Sequence, residues 1–479
     1  MNAPLANQWS AKSEIPLAEL APSAYPKNDS ERASRFAEEF AGELKFVPAL
    51  RKWLAWNGIR WAADDDGAVY RKAQEIPKLL LREAAEITDS AAQKQAAWAA
   101  IRSGDRAKLE AMVKLAESQP QFAAKPALFD SDPLLLGVSN GVVDLRTGQF
   151  REGRKEDYIT KQAGTAFDAE ATCPIWRKFL RRVLETDDLV TFIRRAVGYT
   201  LTGAISEQCL FFLYGTGQNG KSTFAECLKH LFGDYVVKAT TTLYTIDRYG
   251  KEPVTEIARL VGKRLVTGSE TEEGSRLAES RVKDITGGDT LTGRELYCTA
   301  FNFAPTHKLW IYGNHLPDVR GNDDGIWRRI KLIPFRVQIP SEEKDPDLLN
   351  KLIGELPGVL NWALKGCREW RKSGLGVPPV VVEATAEYRE EEDEIGEFLA
   401  QRCYQGGQVE RSVLFDQYLG WAKDRGIKLP LRPKGFAKRI RVRPGIADGG
   451  KSNGQRFWKG VSVPPCEAAP SFQGIPQGT

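Results

Sequence analysis

The chain has 479 residues, 42% hydrophobic and 27% charged, with a formal net charge of +5. That length allows about two to four domains with large buried cores, and the fractions exclude a disordered or collagen-like chain. So small a net charge excludes a requirement for a polyanionic partner across the whole surface. No run of eighteen apolar residues exists, so no membrane-spanning helix is expected, and the opening MNAPLANQWSAKSEIPLAEL lacks the pattern of a secretory signal. A cytoplasmic, membrane-free location is the expectation. The seven cysteines (173, 209, 227, 298, 367, 403 and 466) are scattered without a C-x-x-C pair, and His230, His307 and His315 do not cluster with them. Reduced thiols and no zinc site follow from that spacing.

Residues 1–30, rich in Pro, Ala, Ser and Asn, read as a flexible arm. Glu31–Trp61 has helical spacing and ends in a cluster of Trp53, Trp56 and Trp61. Further helical stretches are predicted over Tyr70–Ile87 and Ala91–Ser118. Paired tryptophans can stack nucleobases, but core packing is their commoner use and is the reading taken. Leu134–Phe150, LLLGVSNGVVDLRTGQF, is broken by Asn140-Gly141 and Thr147-Gly148 and predicts a small β-hairpin. Pro174–Tyr199 returns to an amphipathic helix, with Trp176, Phe179, Leu180, Val183 and Leu184 on one face. Residues 31–200 are therefore expected to form a mostly helical N-terminal domain.

Leu210–Thr223 reads LFFLYGTGQNGKST. An apolar strand, a glycine loop fitting G-x-x-x-x-G-K-[ST], and a helical run from Phe224 to Leu231 stand in the order that a phosphate-binding P-loop needs. Gly215, Gly217 and Gly220 permit backbone conformations closed to other residues. The N–H groups of the loop, Asn219 and Thr223 included, can then surround an anion at the helix N-terminus. Lys221 has the reach for terminal phosphates and Ser222 the hydroxyl for Mg²⁺. ATP and Mg²⁺ are the expected ligands.

From the P-loop to about residue 340, strands and helices alternate as in a nucleotide-binding α/β domain, taken here as 201–373. In RLVTGSETEE (264–273), an apolar strand ends in acids. Glu270 is the first choice to hold the metal, Glu272 the second, with Glu273 open. Lys308–Asn314, KLWIYGN, is another strand, and an amide at its end suits Asn314 to holding water near a terminal phosphate. Gly325-Ile-Trp-Arg-Arg-Ile330 places Arg328 and Arg329 beside an exposed turn, where either could reach a neighbouring subunit's phosphate.

Residues 374–394 read as a Gly/Pro linker followed by an acidic segment, with REEEDE at 389–394. Between Lys428 and Lys459 there are ten Lys/Arg against one acid, Asp448. The domain at 395–463 is thus expected to offer Lys434, Lys438, Arg439 and Arg441 to nucleic-acid phosphates. Residues 464–479 read as a disordered tail. No internal repeat is present.

In order and spacing, GTGQNGKST, RLVTGSETEEG, KDITGGDTLTGRELY, FAPTHKLWIYGNHLP and GIWRRIKLIPF resemble superfamily 3 helicases of the phage, plasmid and poxvirus primase–helicase group. Upstream, NGVVDLRTG and the helical segment ending AVGYTLTG resemble the same group. The resemblance implies an AAA+-like P-loop core with a C-terminal winged-helix-like domain, assembled as a ring, usually hexameric, that hydrolyses ATP between subunits and moves 3′ to 5′ on DNA. On that pattern Lys221 and Ser222 bind ATP and Mg²⁺, Glu270 is the metal-holding acid, Asn314 is the sensor, and an arginine finger is Arg328 or Arg329, with a slight preference for Arg329. A hairpin between Tyr297 and Lys308 corresponds to the DNA-tracking element. Its neutral apex, Cys298–Phe303, leaves Phe301 to stack on a base or His307 and Lys308 to supply charge. No polymerase domain is recognised before the helical region, so helicase without primase is the expectation, with a separate primase or polymerase as partner. Single-stranded and forked DNA are the implied substrates, in phage, prophage or plasmid replication. The alternative is an ATP-switched origin-binding or loading protein without processive unwinding.

Overall fold

A computed structural model describes residues 26, 28–246, 254–269, 274–294, 300–319, 321, 323–427, 430–452 and 454–464. These fall into two compact units, one of residues up to 143 with 149–162, the other of 144–148 and most of the chain from 163 onward. The expected boundary at 200 therefore moves to about 162. The helices at 174–201 contribute their apolar faces to the second unit's core.

In the first unit, α1 (Asp29–Phe40) starts at Asn28, whose side chain accepts from Glu31 N at 2.9 Å. It buries Phe36 and Phe40. Strands β1 (Leu44–Val47), β2 (Lys52–Trp56) and β3 (Trp61–Ala63) follow as an antiparallel sheet. This corrects the helical reading of 44–61. Leu44 and Phe46 alternate inward, and Phe46 meets Trp53 across the β1–β2 pair at a ring separation of 5.1 Å. Helices α2 (Ala68–Ala73), α3 (Glu75–Ala85), α4 (Ser90–Ser103) and α5 (Arg106–Ala116) occupy the expected helical stretches. The hairpin predicted at 134–150 is a three-stranded meander, β4 (Leu135–Val138), β5 (Gly141–Asp144) and β6 (Gln149–Arg151).

The second unit opens with α6 (Pro174–Leu184) and α7 (Asp187–Leu201). All five apolar residues expected on one face of α6 are buried. The chain then runs through β7 (Leu210–Tyr214), α8 (Lys221–Phe232), β8 (Val236–Lys238), α9 (Val254–Ala258), β9 (Leu265–Ser269), α10 (Glu279–Thr286), β10 (Leu291–Gly293) and β11 (Phe301–Phe303). It continues with β12 (Lys308–Gly313), α11 (Asp324–Trp327), β13 (Ile330–Pro334), α12 (Leu348–Gly354) and α13 (Leu356–Ser373). Five strands form one parallel sheet in the order β13-β7-β12-β9-β8. Their apolar runs are continuous, as expected for strands covered on both faces. On one face Phe211, Trp310 and Phe224 pack with Trp176, which stacks on Phe224 at 5.6 Å. Helix α13 lies along α7 at close range: a Cβ on Gly198 would come 2.1 Å from Cys367 N, and one on Gly366 2.0 Å from Arg194 O. Any larger side chain at either position would force the helices apart.

The supposed linker is largely helix. After Gly374–Pro378 comes α14 (Pro379–Glu391), which buries Val381, Ala384 and Tyr388, the last two in the apolar cluster of the sheet. Those residues form an apolar stripe at helical spacing, and the acidic run falls on the other side. Next come α15 (Glu394–Arg402), β14 (Tyr404–Glu410), α16 (Arg411–Asp424), α17 (Pro433–Arg441), β15 (Ala447–Ser452) and β16 (Gln455–Ser462). The last three strands make a small sheet in the order β14-β16-β15, over a core that includes Phe398, Trp421, Phe436 and Trp458. Among the described residues no helix is long and apolar enough to cross a membrane.

Candidate active site

The loop after β7 lies at the C-terminal edge of the parallel sheet, between strands whose chains leave in different directions. β7 continues to β8 at the far edge, and β12 later fills the gap. Such a crevice is where open α/β sheets bind ligands. Its backbone is held in the left-handed region at Gly217 (φ +108°), Gln218 (φ +51°) and Gly220 (φ +84°). Alternation of this kind turns successive N–H groups toward one concavity, a nest for an anion. Gln218 is not glycine and carries strain there, offset by Ile339 N donating to its carbonyl at 2.9 Å and Lys344 Nζ to its Oε1 at 3.0 Å.

Asn219 is buried and donates through Nδ2 to Phe335 O at 3.0 Å, pinning the loop to the end of β13. Lys221, 5% exposed, opens α8. Its ammonium donates to Gly215 O at 2.8 Å, Asn219 Oδ1 at 2.8 Å and Asn314 Oδ1 at 3.1 Å. Asn314 follows β12 directly and is exposed. Two residues 93 positions apart thus meet where the loop opens. Ser222 is exposed in the first turn of α8, with Thr223 half-buried beside it. These groups fit a triphosphate with its divalent cation: a cation, a hydroxyl, an amide and a row of backbone donors converge on one concavity. Glu270, Glu272 and Glu273 lie outside the described residues. β9, which precedes them, pairs with β12 from Lys308↔Leu265 to Tyr312↔Ser269. Its last residue therefore lies beside Tyr312, two residues before Asn314.

The two arginines separate cleanly. Arg329 is 8% exposed and spends its guanidinium internally, Nη1 on Gly325 O at 2.6 Å and Nε on Thr286 Oγ1 at 3.2 Å. Burial and the adjacent Arg328 hold its pKa below the ordinary guanidinium value. Arg328 is exposed. The slight preference for Arg329 as the outward-reaching arginine is therefore corrected. Arg328 also lies before the first residue of β13, which pairs with the first residue of β7. The P-loop follows the last, roughly 15 Å away at the usual strand rise.

Phe301 pairs with Gly293 in the β10–β11 hairpin and is half-buried. It belongs to strand β11, and residues 295–299 of the expected DNA-tracking segment lie outside the described residues. His307 and Lys308 are each 2% exposed, so their expected role in bringing charge to DNA fails on burial. Lys308 Nζ donates to Thr202 O, which caps α7, and lies 4.5 Å from the Tyr199 ring centre. Arg264 donates to Leu201 O at the same helix end. Both cations meet the negative end of a helix dipole, and burial, then Arg264, pushes the Lys308 pKa well down. Sequence reasoning missed this capping pair, because only the fold brings α7's end to these strands.

On α17, Lys434, Lys438 and Arg441 are exposed at i, i+4 and i+7, one face of the helix. Arg439 turns inward, its side chain 13% exposed and 4.0 Å from Glu394. Lys451, Arg456 and Lys459 of β15 and β16 are also exposed, three basic residues that the sequence reading had not singled out.

Residues 33–185 match the family described as D5 N terminal like, and residues 213–329 match a family of unknown function, DUF5906. A "putative helicase" of Acanthamoeba polyphaga mimivirus is 30% identical over 296 residues, covering 56% of this chain and 31% of that protein. A "putative helicase" of Frog virus 3 is 26% identical over 369 residues, covering 59% and 37%. A "putative primase" of African swine fever virus is 26% identical over 315 residues, covering 59% and 32%. The chain matches about a third of the length of these relatives. Among solved structures, the apo NrS-1 C-terminal region superposes on 91% of this chain and 100% of that one, at 12% identity and a TM-score of 0.49. Its N-terminal and central regions are thus matched, in this order, by a D5 N-terminal-like domain and by DUF5906, and its relatives are named putative helicases and primases of large DNA viruses, a pattern consistent with a D5-like primase–helicase group.

Proposed function

We propose that the protein is an ATP-dependent DNA helicase of the superfamily 3, AAA+-like type, acting in phage, prophage or plasmid replication. The observation that carries this reading is the 3.1 Å hydrogen bond between Lys221 Nζ and Asn314 Oδ1 at the mouth of a positive-φ glycine loop. The bond brings the lysine of the loop to the amide that ends β12, the pair that this reading assigns to the terminal phosphate.

In this reading Lys221 exchanges its protein acceptors for phosphate oxygens, and Asn314, released from it, orients the attacking water. Ser222 and an acid of segment 270–273 would hold Mg²⁺, which would supply charge neutralisation at the phosphates. Arg328 is exposed at the end of the sheet opposite its own P-loop, which supports its use on a neighbour's nucleotide in a ring, usually a hexamer. The C-terminal domain has the helix-strand-helix-helix-strand-strand order of a winged helix. Lys434, Lys438 and Arg441 give it a phosphate-facing surface for single-stranded and forked DNA. Unwinding polarity, here 3′ to 5′, is carried over from the resemblance.

The test is DNA-stimulated ATP hydrolysis. Wild type should hydrolyse ATP faster with forked DNA present, and Lys221→Ala should do so with neither. Hydrolysis retained in Lys221→Ala would remove the P-loop from the chemistry.

A further inference from the structure

The segment that follows Asn314 is held by α14 and the residue just beyond it. The Tyr388 hydroxyl donates to Pro317 O, and Val319 N donates to Glu392 Oε2 at 2.8 Å. The next two acids face the other way. Asp393 takes both terminal nitrogens of Arg443, which lies just past α17, and caps α15 by accepting from Gly396 N at 3.1 Å. Glu394 accepts from the Tyr418 hydroxyl in the core of the basic domain. Three consecutive carboxylates thus grip the nucleotide-side segment and the basic domain from one point in the chain.

That point is backed by a stiff element. Helix α14 packs Ala384 and Tyr388 on the sheet, accepts Leu332 N through Thr385 Oγ1 at 3.2 Å, and pairs Arg389 with Asp324 at 2.8 Å. No glycine interrupts it before Asp393. A displacement of the 315–319 segment therefore moves Glu392, and with it the Asp393–Arg443 pair, rather than being absorbed by a loose link.

We infer that Glu392 and Asp393 are positioning residues that couple nucleotide occupancy at Asn314 to the placement of the basic face of α17. This rests on the ATPase reading above. A phosphate that competes for Lys221 breaks its bond to Asn314, and the segment beyond Asn314 transmits the change through Tyr388 and Glu392. By linkage the effect runs both ways: DNA on the basic face alters nucleotide affinity by the same factor.

The experiment uses the full chain, labelled forked DNA, and a non-hydrolysable ATP analogue with Mg²⁺. DNA affinity is measured with and without the analogue, and analogue affinity with and without DNA. Wild type should show a coupling factor of at least about fivefold, the same in both directions. Glu392→Ala and Arg443→Ala should each bring it to about one while leaving the two separate affinities near wild type. Glu392→Gln, which keeps an acceptor for Val319 N, should restore it. Hydrogen exchange on wild type gives a reading independent of any variant: the analogue should change protection in 393–402, and DNA should change it in 315–319. Wild-type coupling in both alanine variants, a wild-type factor of one, or exchange in neither segment responding would overturn the inference. Failure of the analogue to bind wild type at all would instead defeat the ATPase reading.

Discussion

Two buried lysines sit at opposite ends of the same sheet and differ in the acceptors they meet. Lys221, 5% exposed, lies at the C-terminal edge and donates to two side-chain amides and one carbonyl. Lys308, 2% exposed, opens β12 at the N-terminal edge and donates to the carbonyls of Thr202 and Thr306. Of the two amides Asn219 is pinned to Phe335 O, but the exposed Asn314 amide can turn away when a phosphate arrives. Backbone carbonyls at a helix end cannot, so Lys308 is committed to the fold. Burial alone does not mark a functional cation; the freedom of its acceptors does.

The largest expected effect breaks that comparison directly. Lys221→Ala should lower ATP turnover by at least about 10³-fold, since charge stabilisation at the phosphates is lost, while shifting unfolding free energy by no more than about 1 kcal/mol. Lys308→Ala should do the reverse, costing about 2–4 kcal/mol through a cavity and unsatisfied carbonyls. Denaturant titration and steady-state turnover on both variants check the pair. If Lys308→Ala is as stable as wild type, its structural assignment fails.

The arginines extend the contrast. Arg328→Ala should cost about 10³-fold in turnover with an unchanged melting curve, and mixing it with wild-type subunits should depress activity beyond simple dilution. Arg329→Ala should instead destabilise by about 2 kcal/mol, having left Gly325 O and Thr286 Oγ1 without their donor. A strictly linear loss on mixing Arg328→Ala would contradict action in trans.

A pH titration of stability sharpens the structural end. Burial, followed by Lys308, pushes the His307 pKa down to about 4 from 6.5. The folded chain keeps His307 neutral down to that value, whereas the unfolded chain takes a proton near 6.5. The unfolded state therefore binds more protons in this window, and stability present above pH 6.5 is lost as pH falls toward 4, by up to about 3 kcal/mol. His307→Leu should flatten that part of the profile; an unchanged slope would place its cause in other groups.

The smallest effects belong to α17. Replacing Lys434, Lys438 or Arg441 by Ala should each reduce the salt dependence of DNA binding by about one ion. Arg439→Ala should leave it unchanged.

What the sequence disclosed follows the same physics. The P-loop was legible because strand, glycines, lysine and helix are contiguous, and their local order carries the geometry. The inward face of α6 was legible from periodicity, as Trp176 and its neighbours show. The Lys308 role was not, since its partners come from the end of α7, more than a hundred residues earlier. Helix α14 was hidden by composition: its glutamates outnumber Val381, Ala384 and Tyr388, although those three are its buried residues. The inward turn of Arg439 was readable in principle, because 434, 438 and 441 share a helical face that 439 does not. Strands β1–β3 were missed because apolar residues in Glu31–Trp61 satisfy a helical period beyond the helix that ends at Phe40.

Strand displacement from a forked duplex, with wild type and Lys221→Ala side by side, tests the central claim most directly. The account predicts ATP-dependent release of the displaced strand by wild type and none by the variant. DNA-stimulated hydrolysis by wild type without any released strand would contradict it and favour an ATP-switched loader.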